Sequence, residues 1–174
     1  MNKQAISDTL KEKHDIFINY LSGLSEEIFI KQHSGKWSPG QQLEHIYLSV
    51  KPVRQALSLP KFLLKFLWRK ANRKSRNYDD LVARYLEKLS IGGKAPKRFI
   101  PADVKSERKQ RLLELLSAEV RNLIRQIDNY TESELDKFVI PHPLLGKLTF
   151  REMLYFTVYH VEHHQLSITE ISKS

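Results

Sequence analysis

Apolar residues recur at helical spacing in four long stretches of this chain. The first runs from about Gln4 to Ser22, with Ile6, Leu10, Phe17 and Leu21 on one stripe and Gly23 as a stop. The second opens on Trp37-Ser38-Pro39-Gly40-Gln41. Ser38 suits an N-cap, Pro39 the first helical position, and Gln41 the return arm of a capping box. Leu43, Ile46, Val50, Val53 and Leu57 form its stripe, which Pro52 is expected to kink or interrupt. The third covers roughly Ala102 to Asn129, carried by Leu112, Leu116, Leu123 and Ile127. The fourth starts at a second capping box, Thr149-Phe150-Arg151-Glu152, with Leu148 placed to staple onto Met153, and continues to about Ser172. A shorter helical pattern from Tyr78 to Leu89 lies between the second and third, followed by a loop from Gly92 to Pro96. Phe138-Val139-Ile140 is the one short β-rich run, and Pro141 and Pro143 are expected to end it. The fold class that follows is all-α: a four-helix bundle with a short extra helical segment between helices two and three, in one domain spanning residues 1–174.

The fourth helix carries candidate chemistry on its buried side. At about 100° per residue, Met153, Leu154, Thr157, Val161 and Ile168 share one face, and His160 and His164 fall on it. His163, Tyr159 and Glu162 point elsewhere. Histidines four apart bring their Cβ atoms to about 6 Å, so both rings can reach one ion. Taken alone, such a pair leaves a metal site and a structural role equally open. His45 tips the balance: it borders the stripe of the second helix, where the small residues Ser49 and Ala56 leave space. Helical cores build metal sites from facing helices, and three histidines leave a fourth position open to water or substrate. Because the 174 residues include no cysteine, thiolate ligands, a cysteine nucleophile and a disulfide framework are excluded, and any transition metal must bind through nitrogen or oxygen.

The remaining histidines read differently. His142 between two prolines suits a turn, His14 on the first stripe suits the core or an end of the bundle, and His33 lies in a polar loop. Glu44 and Glu162 neighbour the candidate ligands in sequence but face away, so no side chain stands out as a general base. The catalytic group would then be a water or thiol activated by the metal.

Charge is uneven. The formal net charge is +9, and the acid-free stretch from Lys51 to Arg76 holds Lys51, Arg54, Lys61, Lys65, Arg69, Lys70, Arg73, Lys74 and Arg76. Phe62, Leu63, Leu64, Phe66, Leu67 and Trp68 are interleaved with these cations. The pattern suits a lid helix with Phe62, Phe66 and Trp68 inward and solvated charges outward. An anion-binding surface and a membrane contact are the alternatives. No nucleic-acid-binding motif occurs, so nucleic acid is not expected as a partner. The N-terminus lacks the apolar core of a signal peptide and no run is long enough to span a membrane, which makes the cytoplasm the expected compartment.

The Trp37-Ser38-Pro39 start with His45 beyond it, the Pro141-His142-Pro143-Leu144-Leu145-Gly146 loop and the closing His160-x-x-His163-His164 resemble the DinB/YfiT-like superfamily. The similarity in helix order spans nearly the whole chain and is most specific at residues 36–46 and 140–168. That resemblance implies an up-down-down-up bundle, often a homodimer, with a three-histidine nickel, zinc or manganese site. His45, His160 and His164 match the ligand positions, and His163 matches an additional histidine that is not a ligand. It further implies a metal-dependent hydrolase or thiol S-transferase acting on a small molecule, with a low-molecular-weight thiol as a possible second cofactor. Residues Lys51 to Arg76 match nothing in the family pattern, which leaves the substrate open. Tyr155, Tyr159 and Leu166 are the expected outward face for dimerisation. The rival reading is a non-catalytic binding module whose basic segment contacts nucleic acid or anionic membrane.

Overall fold

Two capping boxes set the long helices that matter most for the site. The computed structural model describes residues 1–33, 35–68 and 70–171. Arg69 of the basic run and Ser172 at the expected end of the last helix lie outside the described residues. The elements in chain order are α1 (Lys3–Ser22), α2 (Glu26–Ile30), α3 (Pro39–Leu57), α4 (Lys61–Trp68), α5 (Tyr78–Ser90), α6 (Lys109–Ile127), α7 (Glu132–Lys137), β1 (Val139–His142), β2 (Gly146–Thr149) and α8 (Phe150–Ile171). The described chain is therefore mostly helical, with one small antiparallel ribbon.

α3 begins as its sequence dictates. The Ser38 hydroxyl accepts from the Gln41 amide at 3.2 Å, and the Gln41 side chain accepts from the Ser38 amide at 3.0 Å. Gly40 is required there, because a Cβ would come within 2.8 Å of the Phe29 ring of α2. Pro52 removes a donor to the Leu48 carbonyl but does not end the helix, which runs on to Leu57. α8 starts on the second box: Thr149 N–H donates to Glu152 at 2.8 Å, and the Glu152 amide donates to the Thr149 hydroxyl at 3.2 Å. α1 packs on α6 and α8, and α3 packs on the same two helices. The stripes read from the sequence are the ones that meet: Ile6, Leu10, Phe17, Leu21, Leu43, Leu116, Leu123, Ile127 and Leu154 are fully buried.

Several expectations are corrected. The proline-flanked run after α7 is a hairpin, not a terminated fragment: β1 and β2 pair antiparallel from Val139–Thr149 to His142–Gly146, with Gly146 at φ +74°. A two-stranded ribbon has two free edges, where a proline costs no ladder hydrogen bond. The third long helix starts at Lys109 rather than Ala102, because residues up to Lys105 stay extended and a single 3-10 turn, Ser106–Arg108, leads into it. The short helices α2 and α7 were not expected from periodicity; each is set by a local cap, Ser25 and Thr131.

The acid-free stretch is only partly a lid. Leu64 is fully buried and Trp68 half-buried, but Phe62 and Phe66 stand 68% and 84% exposed. Nor is the whole charge run solvated. Glu152 of α8, whose side chain is 0% exposed, accepts from Arg73 at 2.6 and 2.8 Å and from Arg76 at 3.1 Å. Burial pushes the Glu152 carboxyl up, but Arg73 and the amides of Arg76 and Thr149 outweigh it and hold the group below the usual range. The outward face expected of α8 is also smaller than its sequence suggests. Tyr155 is buried, its hydroxyl donating to the Met1 carbonyl at 3.1 Å, so only Tyr159 and Leu166 remain partly or fully exposed.

Candidate metal centre

His45 projects from α3, and His160 and His164 project from successive turns of α8, at the contact between the two helices. Their Nε2 atoms converge. His45 and His164 each place Nε2 3.2 Å from that of His160, and one ring nitrogen from each histidine lies within 4.8 Å of the others.

The outer nitrogens decide which tautomers are present. His45 Nδ1–H donates to the Phe99 carbonyl at 2.7 Å. His164 Nδ1–H donates to the Gln42 side-chain oxygen at 2.9 Å, and Gln42 in turn donates to the Trp37 carbonyl at 3.3 Å. A neutral imidazole with its proton on Nδ1 presents a lone pair at Nε2. Two lone pairs therefore face the Nε2 of His160, which has at most one proton to offer. At least one nitrogen–nitrogen approach is left repulsive unless a cation lies between the rings. Ligand nitrogens about 2.1 Å from a shared ion sit about 3.4 Å apart at tetrahedral angles, close to the observed 3.2 Å. Two of the three nitrogen pairs match that spacing and the third lies within 4.8 Å, so the trio offers three neutral nitrogen donors able to hold a divalent metal.

The surroundings keep these rings neutral, as ligands must be. Burial, followed by repulsion from His164 and His45, lowers His160 well below the usual histidine value. Burial, then His45 and His163, does the same for His164. His45 is lowered by burial against the opposing pull of the Phe99 carbonyl. The rings are wedged by aromatics: Phe156 stacks on His160 at 4.7 Å, and Trp37 lies 4.9 Å from His45.

Residues 9–168 match the family model described as the DinB superfamily. The chain belongs to the DinB superfamily. No curated protein and no solved structure matches it.

In this DinB-superfamily chain a cavity of about 430 Å³ opens onto His45 and His160. Its walls are mostly apolar, including Leu48, Val53, Ile140 and Met153, with Lys51 and Arg98 as the cations among its lining residues. Among the described residues, no carboxylate lines it. Glu44 and Glu162 pair instead with Arg108 and Lys13 at 2.7 and 2.8 Å, in keeping with their reading as groups that face away. His163 stands outside the converging trio, edge-on to His164 and Tyr85. His142 closes β1 and lines the cavity; its Nδ1 accepts from the amides of Leu144 and Leu145 at 3.2 and 3.1 Å, and burial lowers it to about 4. His14 is buried on Leu10 within the core, and His33 sits in an isolated bridge with Lys36.

Sequence reasoning missed Gln42 and Phe99, the two groups that orient the histidines. Gln42 lies three residues before His45, on the same side of α3, and a polar residue beside a buried stripe is a usable signal. Phe99 acts through its backbone carbonyl, which no side-chain pattern reveals.

Proposed function

We propose that this protein is a metal-dependent hydrolase or thiol S-transferase acting on a small molecule, with His45, His160 and His164 as ligands to zinc, nickel or manganese. One observation carries the reading: three Nε2 atoms converge where a mostly apolar cavity begins, with two of them held as lone-pair donors by fixed outer partners. The ion, when bound, supplies Lewis acidity that makes a water or a low-molecular-weight thiol nucleophilic near neutral pH. The chain's own groups do the rest. Gln42 and the Phe99 carbonyl hold the ring tautomers, Trp37 and Phe156 fix the ring planes, and the apolar walls exclude bulk water from the reacting end. Because no carboxylate among the described residues lines the cavity, the proton lost by the water or thiol would pass to solvent or buffer. The same reading takes residues 1–174 as one domain, its four long helices as an up-down-down-up bundle, and the protein as a cytoplasmic homodimer.

Protein purified without a histidine tag is expected to carry close to one divalent ion per chain. His45→Ala, His160→Ala and His164→Ala should each lose it, while His163→Ala keeps it. A panel of thiols against small electrophiles, and of amide and ester substrates, then separates transfer from hydrolysis. Equal metal loss in all four variants would refute the ligand assignment.

A further inference from the structure

Among the described residues, no element covers the outer side of α4. On this eight-residue helix Leu64 turns inward and Trp68 borders the cavity, whereas Phe62, Phe66 and Leu67 are 68%, 84% and 53% exposed. Phe62 and Phe66 are four residues apart and share one side of the helix, so they form a ridge rather than scattered apolar contacts.

The helix that carries the ridge is held in place. Lys61 bonds Glu134 at 2.7 Å at one end. Beyond the other end, Lys70 bridges to Phe138 and the Ala71 amide donates to the Lys137 carbonyl at 2.8 Å. Exposure of the phenylalanines is thus built into a fixed scaffold.

Charge narrows what can cover it. Within the acid-free stretch, Arg54, Lys61, Arg73 and Arg76 are matched by Glu119, Glu134 and Glu152. Lys65, Lys70 and Lys74 have no carboxylate partner among the described residues, and all three are exposed. An apolar ridge on a helix that carries unmatched Lys65, with unmatched Lys70 and Lys74 exposed in the segment that follows it, is complementary to a surface that is negatively charged outside and apolar beneath. A nucleic acid would use the lysines but has no apolar layer for two phenylalanines and a leucine on one short helix.

We propose that α4 docks this protein reversibly onto anionic lipid membranes, with Phe62, Phe66 and Leu67 entering the interface and Lys65, Lys70 and Lys74 meeting the headgroups. A helix this short offers little insertion area, so binding depends on both components and weakens with salt.

The test is cosedimentation of the full-length protein with vesicles of neutral lipid alone or with about 30% anionic lipid. The comparison includes Phe62→Ser/Phe66→Ser and Lys65→Gln/Lys70→Gln/Lys74→Gln variants whose melting temperatures match the wild type. Wild type should bind the anionic vesicles at least about tenfold more tightly than neutral ones, and each multiple variant should lose about tenfold or more. Three results would overturn the proposal. One is no binding to anionic vesicles. Another is vesicle binding that survives the phenylalanine changes and is matched by a DNA or RNA duplex, which would mark a phosphate-binding surface. The third is conversion of a wild-type dimer to monomer by Phe62→Ser/Phe66→Ser without vesicle binding, which would mark a subunit interface.

Discussion

Gln42 offers a sharp test of the proposed metal centre because it is not one of the proposed ligands. Its side-chain oxygen holds the proton of His164 on Nδ1, and its amide is held in turn by the Trp37 carbonyl. Gln42→Leu keeps the volume and removes both bonds. The His164 ring is then free to place its proton on Nε2, the atom that faces His160. Losing an outer partner of this kind costs about 10–100-fold in metal affinity, or roughly 1.4–2.7 kcal/mol. The measurement is a competition titration of zinc between chelator-stripped protein and a fluorescent chelator. Thermal melts of the metal-free proteins, run alongside, separate site from fold. Gln42→Glu should retain affinity, since a carboxylate still accepts from Nδ1. Unchanged zinc affinity in Gln42→Leu, or an equal loss in Gln42→Glu, would refute the tautomer argument.

The paired and unpaired cations should behave differently. Arg73→Glu should cost about 3 kcal/mol, because it sets a like charge against buried Glu152 and leaves that carboxylate only Arg76 and two amides, whereas Lys74→Glu should stay within about 0.5 kcal/mol. Denaturant melts of the two variants check this, and equal effects would refute it. Acid should destabilise the fold before its carboxylates titrate. Burial lowers His14 to about 4 against an ordinary 6.5, so the unfolded chain takes up this proton first. The stability held by neutral His14 is complete above the unfolded value, falls as pH drops through 6.5, and is fully lost near 4. Going from neutral pH to about 5, His14 alone should account for about 2 kcal/mol. His14→Gln should flatten the pH dependence by that amount in urea melts, and an unchanged slope would rule the mechanism out.

What could be read from the chain was whatever side chains encode locally. Ser38 with Gln41 and Thr149 with Glu152 announce helix starts through reciprocal bonds that span three residues, and both boxes form. His160 and His164 share a face by helical geometry alone, and their convergence with His45 follows once α3 packs on α8. What could not be read depends on distant partners. Arg73 looks like any surface cation until Glu152, buried 79 positions away, is known to accept from it. Phe62 and Trp68 carry the same apolar signal, yet one faces water and the other the cavity, since α4 is too short for its periodicity to separate the sides. Tyr155 looked like interface and is instead covered by the chain's own first residue.

The Phe99 carbonyl sets an unusual rule for the stretch between α5 and α6. An acceptor that belongs to the backbone is indifferent to the side chain that bears it, so residue 99 can change identity without disturbing His45. It cannot change place. One residue inserted or deleted between Gly92 and Pro101 would shift the carbonyl by a residue length, about 3.3 Å, well over the 2.7 Å bond it makes. Surface connections ordinarily absorb such changes in length. For that bond the spacing is the functional information, whatever letter stands at position 99.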